Sequence, residues 1–556
     1  MSAISLLDGI ATARLGDGRM VFLGAERDEE LSRAEFFARA EHVAAWLQER
    51  RGIGPGSRIV VLPSSPAATV TAVVATWLAG AAVTCAPTPA RTTDLATYAR
   101  QTVERVSALD ASLVLVAAPY EGLTAELKSV ARVDLLAEVL AAEPTSTWKI
   151  PDLTPTDAAI HQFTSGTTAA PKIVRVSHGN LAANIAAILD LLRHDEEHLR
   201  FLSWLPLSHD MGLIGALASQ LTCGQCDLFL GSPTDFLASP SGWMRSAARH
   251  RATVLVAPAS AYALAGRMLR TGPRLDLTSV RVAICGGESI DPDAIETFLE
   301  SAAAHAFDPG AFVPAYGLAE ATLLVTAAAD AGVGLRSDDV DTDTLAETRT
   351  ATPALDGQRA RRLARLGPPV PGTQLRVVDP DTGEEIPERA VGEIQIHGPS
   401  IATYLPCDGP DDDASQTAVR HVEHGWLATG DLGYLADGEL VVCGRTKDLI
   451  IIGGRNIHPE EIEQAAAQVS GTRPGNIVAF ATRHPGQTTD TLTIALETRP
   501  GHDETAIRDQ VTTAVLTAVG VRLAAVRLLP PGSIPKTPSG KLQRAEAARL
   551  FSGESP

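Results

Sequence analysis

Two patterns alternate along this chain. Stretches rich in Ala, Val and Leu recur at helical spacing, and between them lie short β-branched runs at Arg58 to Leu62, Ser112 to Ala117, Thr253 to Ala257 and Arg281 to Cys285. Such alternation predicts helices layered on sheets, an α/β architecture. The uncharged stretch Ala67 to Ala86 approaches the length of a bilayer span, but Gly80 splits it and Ala and Thr dominate it. It predicts a buried helix and then a buried strand, with no membrane span. Asp338 to Pro353 and Cys407 to Gln416 are polar and acidic and read as loops in surface insertions.

The pattern changes near the end. Leu432 to Leu435 and Glu439 to Cys443 predict two strands joined through Asp437-Gly438, a tight-turn dipeptide. A charged run, Gly444-Arg445-Thr446-Lys447-Asp448, follows and reads as a linker. Beyond it Leu449 to Ile452 predicts a buried strand and Gly453-Gly454 a turn. Pro459 with Glu460, Glu461 and Glu463 starts a helix whose acidic first turn suits the macrodipole. The expected division is 1–446 for a large domain and 447–556 for a smaller one.

Charge narrows the partners. The 556 residues carry 66 Asp and Glu against 47 Lys and Arg, a net charge of −19. An acidic surface repels nucleic acid and anionic membranes as general partners, but leaves room for a local basic pocket. Six cysteines in so long a chain do not make a secreted disulfide framework, so a reducing, cytoplasmic setting is expected. Cys223-Gly224-Gln225-Cys226 is an isolated CxxC and is read as packing. The start of the chain shows no signal-peptide pattern.

The segment Phe163-Thr164-Ser165-Gly166-Thr167-Thr168-Ala169-Ala170-Pro171-Lys172 offers four hydroxyls, a glycine and a lysine before the strand-like Ile173-Val174-Arg175-Val176. Converging amides and hydroxyls with a flexible ammonium can replace the water a polyphosphate loses on binding, although a solvated Ser/Thr turn has the same composition. No GxxxxGK[ST] occurs, so this is no Walker A loop. The absence of GxSxG and GxGxxG removes the simplest hydrolase and dinucleotide readings.

The order of residues from Phe163 to Lys172 resembles the TSGTTGxPKG phosphate loop of the adenylate-forming superfamily, with Ala169 and Ile173 where glycines are usual. Further segments match in the family's order. Ala315-Tyr316-Gly317-Leu318-Ala319-Glu320 resembles the YGxxE motif, Thr429-Gly430-Asp431 the TGD motif, Gly444 to Asp448 the GRxKD hinge motif, and Pro535 to Lys541 the C-terminal PKTxSGK motif. The resemblance spans about residue 20 to about 547 and implies a large multi-subdomain N-terminal domain of layered α/β sheets plus a small mobile α+β domain.

That resemblance assigns roles. Thr164, Ser165, Gly166, Thr167, Thr168 and Lys172 would hold the phosphates of ATP, and Gly287, Glu288, Tyr316 and Gly317 would border the adenine. Asp431 would accept the ribose hydroxyls with Arg445 beside it, and Glu320 would hold Mg2+. Lys541 would bring its ammonium to the α-phosphate, and Lys447 would be the hinge. Joining a carboxylate to the α-phosphorus brings two anions together, so fixed positive charge is the main catalytic device and positioning the second.

Trp204-Leu205-Pro206-Leu207-Ser208-His209-Asp210-Met211-Gly212-Leu213-Ile214-Gly215 is close to a segment that marks fatty acyl-AMP ligases, with His209 between acyl pocket and phosphates. Gly453 to Glu463 is similar to the same branch's GRNxxPxxIE stretch. The 44 residues between Thr322 and Gly367 match the insertion by which that branch restrains its small domain and disfavours coenzyme A. The resemblance implies a fatty or apolar carboxylic acid as substrate and a separate holo acyl carrier protein as acceptor. Two alternatives stand beside it: an acyl-CoA synthetase using coenzyme A, and a catalytically silent nucleotide-binding homologue.

Overall fold

The computed structural model describes the chain apart from residues 1–4, 25–26, 90–94, 145, 164–171, 195, 329–331, 406–419, 453–454, 483–490, 537–541 and 553–556. Its large N-terminal part is built on two wide sheets. An eight-stranded sheet runs in the order Leu324–Ala327, Phe312–Gly317, Val282–Cys285, Val254–Ala257, Leu199–Ser203, Cys226–Leu230, Arg19–Phe22 and Glu29–Ser32. Its central strands are parallel and its two edges antiparallel. Strands buried on both faces read as unbroken apolar runs, which is why Thr253 to Ala257 was legible: Val254 through Ala257 are all buried.

A seven-stranded sheet orders Thr403–Tyr404, Ile173–Ser177, Ala158–Phe163, Ala82–Cys85, Arg58–Val61, Leu113–Val116 and Val133–Leu135. One apolar cluster draws on both sheets and on the helices Arg33–Arg51, Pro66–Leu78 and His178–Leu191. The uncharged stretch after Ala67 resolves into the helix Pro66–Leu78 and the strand Ala82–Cys85. Trp77 is fully buried there, its Nε1–H donating to the Ala159 carbonyl at 2.9 Å. No helix among the described residues is long and apolar enough to cross a membrane.

A five-stranded sheet contains Gln374–Val378, Gly392–His397, Leu427–Ala436 and Glu439–Arg445. The last two form the hairpin expected at Asp437-Gly438, with Asp437 (φ 55°) and Gly438 (φ 77°) both left-handed as a tight hairpin turn requires. The smaller C-terminal part follows a short turn at Thr446–Asp448. It holds the strands Ile450–Ile452 and Arg455–Ile457, the helix Pro459–Ala467, and a three-stranded sheet of Thr472–Thr482, Thr491–Thr498 and Leu523–Leu529. Helices Glu504–Val519 and Arg544–Phe551 complete it. The turn expected at Gly453-Gly454 lies outside the described residues, as does all of Cys407 to Gln416.

The acidic stretch Asp338 to Pro353 is not a surface loop. It forms the strand Ser337–Asp341, paired with Ala360–Ala364, and the helix Thr342–Thr348. Its carboxylates are used internally, so its polarity does not mean solvent exposure. Asp341 accepts the Thr344 N–H as helix cap at 2.7 Å, and Asp338 is held by Arg389 and the Tyr434 hydroxyl. Val340 and Leu345 are buried against Leu432 and Tyr434. This insertion packs on the Arg455–Ile457 strand of the smaller part.

Candidate active site

Asp431 and Arg445 sit directly opposite each other on adjacent antiparallel strands. That register brings Arg445 Nε to 3.1 Å from Asp431 Oδ1. Asp431 is buried, and its N–H donates to the Thr429 hydroxyl at 3.2 Å within the strand Leu427–Ala436. The Asp431 carboxylate raises the pKa of the Arg445 guanidinium. From the neighbouring sheet, Tyr316 donates its hydroxyl to Asp431 Oδ2 at 2.6 Å. Burial, and then the adjacent carboxylate, push the Tyr316 phenol well above its ordinary range, so it stays a donor.

Gly317 follows Tyr316 for a steric reason: a Cβ there would lie 1.9 Å from the Leu323 carbonyl oxygen. Gly287 (φ 81°) follows the strand Val282–Cys285 in a left-handed turn, where a Cβ would meet Met211 Sδ at 2.8 Å. Glu288 accepts the backbone N–H of Ser260, the second residue of the helix Ala259–Leu269. The segments around 209–211, 260, 287–288 and 316–320 therefore converge at the carboxyl ends of parallel strands, the usual ligand side of an α/β sheet.

Glu320 is a buried carboxylate in a short turn, and the Tyr404 hydroxyl donates to its Oε1 at 2.9 Å. Burial raises its pKa, and the nearby Asp210 adds to the rise. A buried anion so poorly neutralised is a fitting ligand for a divalent cation, which would supply the missing charge. Lys172 Nζ stands 5.9 Å from the centre of the Tyr404 ring, so Tyr404 links the lysine to the glutamate. Ile173 begins the strand Ile173–Ser177 and is buried, so its side chain belongs to the core and not to a loop. His209 Nδ1 lies 2.5 Å from Asp210 Oδ1, at the start of the π-helical turn Met211–Ala218. Asp210 also accepts the Met211 N–H.

Thr164, Ser165, Gly166, Thr167, Thr168 and Lys541 lie outside the described residues. The flanks of Lys541 are described. Lys536 bridges Leu542, and the Gln543 N–H donates to the Pro535 carbonyl at 3.0 Å, closing the base of that segment. Burial lowers the Lys536 pKa, while the carboxylates of Glu497 and of Glu288, in the large part, act against that fall. Arg544 is held by Asp448, Glu460 and Glu463 at 3.5, 2.9 and 2.7 Å. Lys447 is exposed in the turn Thr446–Asp448. Tyr404, Asp210, Thr429 and Arg544 were not singled out from sequence. Thr429 and Asp210 stood inside quoted motifs; nothing near Tyr404 marked it.

This fold and this cluster define an adenylate-forming enzyme. The chain belongs to the AMP-binding enzyme family, whose model matches residues 11–404. It is 37% identical over 527 residues to the Mycobacterium tuberculosis protein Rv1013, covering 93% of this chain and 94% of that protein. It is 36% identical to the long-chain-fatty-acid–AMP ligase FadD26 of Mycobacterium marinum, over 71% of this chain and 70% of that one. A structure from a study of fatty acyl-adenylate ligases from E. coli and L. pneumophila aligns with a TM-score of 0.88 and 30% identity. That alignment covers 99% of this chain and 98% of the other. These matches make the protein an adenylate-forming ligase with the large and small domains of that fold.

Proposed function

We propose that the enzyme activates a fatty or otherwise apolar carboxylic acid with ATP and passes the acyl group to the phosphopantetheine thiol of a separate holo acyl carrier protein. In the first step a carboxylate oxygen bonds to the α-phosphorus of ATP as the bond to pyrophosphate breaks, leaving an acyl adenylate. The observation that carries this reading is the linked set Tyr316, Asp431 and Arg445 beside buried Glu320. Asp431 keeps acceptor capacity for ribose hydroxyls because Tyr316 and Arg445 fix its orientation from the protein side. Tyr316, tethered by its hydroxyl, offers its ring to adenine. Glu320 would hold Mg2+, which would supply positive charge against the phosphates when bound. Lys172 and the residues from Thr164 to Thr168 hold the departing phosphates, and His209 borders the acyl pocket.

Lys541 supplies the cation at the α-phosphate. The paired flanks of its segment, and the influence of Glu288 on Lys536, support a tail that reaches the large domain. The small domain begins at Lys447, the hinge, giving 1–446 and 447–556, and turns between half-reactions. Lys541→Ala abolishes acyl-AMP formation yet leaves thiolysis of supplied acyl-AMP largely intact; equal loss of both rejects the assignment. Arg361, within the insertion on the strand Ala360–Ala364, meets Glu461 of the small domain at 2.8 Å, which supports a restrained small domain and a carrier acceptor over coenzyme A. The described cysteines are buried thiols, consistent with the cytoplasm.

The test is a panel of carboxylic acids with ATP and Mg2+, scored by mass spectrometry for the acyl adenylate, followed by coenzyme A and holo carrier protein in parallel. Absence of carboxylate-dependent pyrophosphate release would leave a silent homologue. Preference for coenzyme A would make the protein an acyl-CoA synthetase.

A further inference from the structure

Glu497 is a carboxylate only 1% exposed, and the chemistry proposed above does not use it. It stands near the end of the strand Thr491–Thr498, where successive side chains point to opposite faces of the three-stranded sheet. Ile494 and Leu496 enter an apolar cluster with the helices Pro459–Ala467 and Glu504–Val519. Ala495 and Glu497 alternate with them on the other face, where Ala495 joins Val478, Phe480, Ile534 and Ala547 in a second cluster. Ile534 precedes the segment that carries Lys541, and Ala547 follows it on the helix Arg544–Phe551. Leu542, next to Lys541 in the chain, packs against the same cluster. Both flanks of the lysine are therefore laid on one face of one sheet.

Polar contacts pin each flank. Upstream, Glu497 Oε1 accepts the backbone N–H groups of Gly532 at 2.8 Å and Ile534 at 3.2 Å, while Arg473 Nη1 meets Oε2 at 2.5 Å. Two backbone donors on one oxygen fix the path of the chain as it leaves the strand Leu523–Leu529. An apolar residue at this position would avoid the desolvation of a buried anion, but it would leave both amides without that acceptor. Downstream, Arg544 grips Glu460, Glu463 and Asp448, the last in the turn beside Lys447. Glu463 in turn accepts the Ala479 N–H of the strand Thr472–Thr482 at 3.0 Å, which ties this anchor to the same sheet. The two arms also join each other, by the Gln543 N–H on the Pro535 carbonyl and by the bridge between Lys536 and Leu542.

We propose that Glu497 and Arg544 are positioning residues for Lys541, gripping the two arms of its segment so that the ammonium is aimed from a fixed base. The proposal rests on Lys541 as the adenylation lysine argued above, and it adds what holds that lysine in place. A lysine carries a point charge on a flexible stem, so its aim comes from the backbone beneath it. A displacement of about 1 Å in such a group costs on the order of 100-fold in rate. The loss should fall on kcat and not on KM for ATP, because the lysine meets charge that develops during the reaction. Thiolysis does not draw on this lysine and should be spared.

The test uses the full-length Glu497→Leu enzyme, with Glu497→Gln as the conservative variant that keeps an acceptor for Gly532 and Ile534. Acyl-AMP formation, thiolysis of supplied acyl-AMP, and amide hydrogen exchange across the two flanks are measured. Glu497→Leu should lower kcat for acyl-AMP formation about 10- to 100-fold, with KM for ATP within about two-fold of wild type and thiolysis retained. Exchange at Gly532 and Ile534 should quicken, and Glu497→Gln should restore both the protection and most of the rate. Should Glu497→Leu fail to fold, Arg544→Lys carries the same test, since it keeps the charge but loses the fork that spans three carboxylates. Unchanged acyl-AMP formation in the variant that folds overturns the proposal. Equal loss of both half-reactions also overturns it, because the anchors would then serve the fold alone. A Lys541→Ala enzyme that still forms acyl-AMP rejects the reading of that lysine, and this inference with it. That outcome is distinct from an inactive Lys541→Ala beside a fully active Glu497→Leu, which rejects the positioning role alone.

Discussion

Arg445 meets Asp431 across adjacent strands of one sheet, whereas Arg361 meets Glu461 across the seam between the large and small domains. Once the sheet pairs, the first contact forms with it, and no domain motion can part the two residues. Its guanidinium is half exposed, with side-chain exposures of 52% for Arg445 and 9% for Asp431. The second pair is enclosed at both ends, at 6% and 10%, and Arg361 also donates to the Cys443 carbonyl at 2.7 Å just before the hinge. His458 is buried beside it, and burial holds its imidazole neutral, so it adds no charge to the seam. One pair therefore presents a carboxylate in a fixed place, and the other holds two bodies in one arrangement. Their chemistry is alike; what differs is which structure supplies the proximity.

The largest expected effect lies in the second pair. Arg361→Met takes a counter-charge away from the enclosed Glu461 and should weaken the seam by about 3–5 kcal/mol. Amide hydrogen exchange along the helix Pro459–Ala467 reads this directly. Arg361→Met/Glu461→Leu should recover much of the loss, and unchanged protection in the single variant would break the contrast between the pairs. If the pair restrains the small domain, the double variant also gains acyl-CoA formation relative to wild type.

Asp431→Ala removes an acceptor and should lower kcat/KM for ATP on the order of 100-fold, as losing ~3 kcal/mol of charged hydrogen bonding predicts. Its melting temperature should move less than that of Arg361→Met, because Arg445 already faces solvent. A larger stability loss than activity loss would mean that Asp431 serves the fold more than a ligand.

Glu320 sharpens the comparison in the opposite sense, being a buried carboxylate that has a hydroxyl donor but no ion pair among the described residues. Its folded pKa lies above the ordinary glutamate value, so the folded state holds the proton longer than the unfolded chain does. Its contribution to stability is therefore fully present in acid and is lost as pH rises from the ordinary value through the raised one. Glu320→Gln should raise Tm modestly at neutral pH, not at acid pH, while adenylation and its acid limb disappear. A fall in Tm at neutral pH would show that Glu320 is already well neutralised. The smallest effect belongs to Tyr404→Phe, which removes one hydroxyl from Glu320 and should cost adenylation a few-fold, seen in the Mg2+ dependence of pyrophosphate release.

Local order was legible where one physical preference dominated. The strands near 58–62, 112–117 and 253–257 are buried on both faces, so their sequences are nearly all apolar, while Val282 and Ile284 of the strand near 281–285 are half-buried. The Asp437-Gly438 turn demanded left-handed backbone, and that demand is written in its residues. Motif spacing placed Tyr316, Glu320, Asp431 and Arg445, and the structure brings them together. By contrast Asp338 to Pro353 looked like a solvated loop because carboxylates usually face water. Arg389, Tyr434 and the helix end at Thr344 satisfy them instead, and those partners are distant in sequence or set by backbone geometry.

What the sequence determined by itself was therefore the element types, the hairpin and the order of the chemical groups, since each depends on neighbours a few residues away. Tertiary structure alone decided that Tyr404 would face Glu320 from 84 positions along the chain and that Arg361 would bridge to Glu461. Those contacts are fixed by how sheets and domains stack, and no periodicity or spacing encodes the distance between side chains that meet only after stacking.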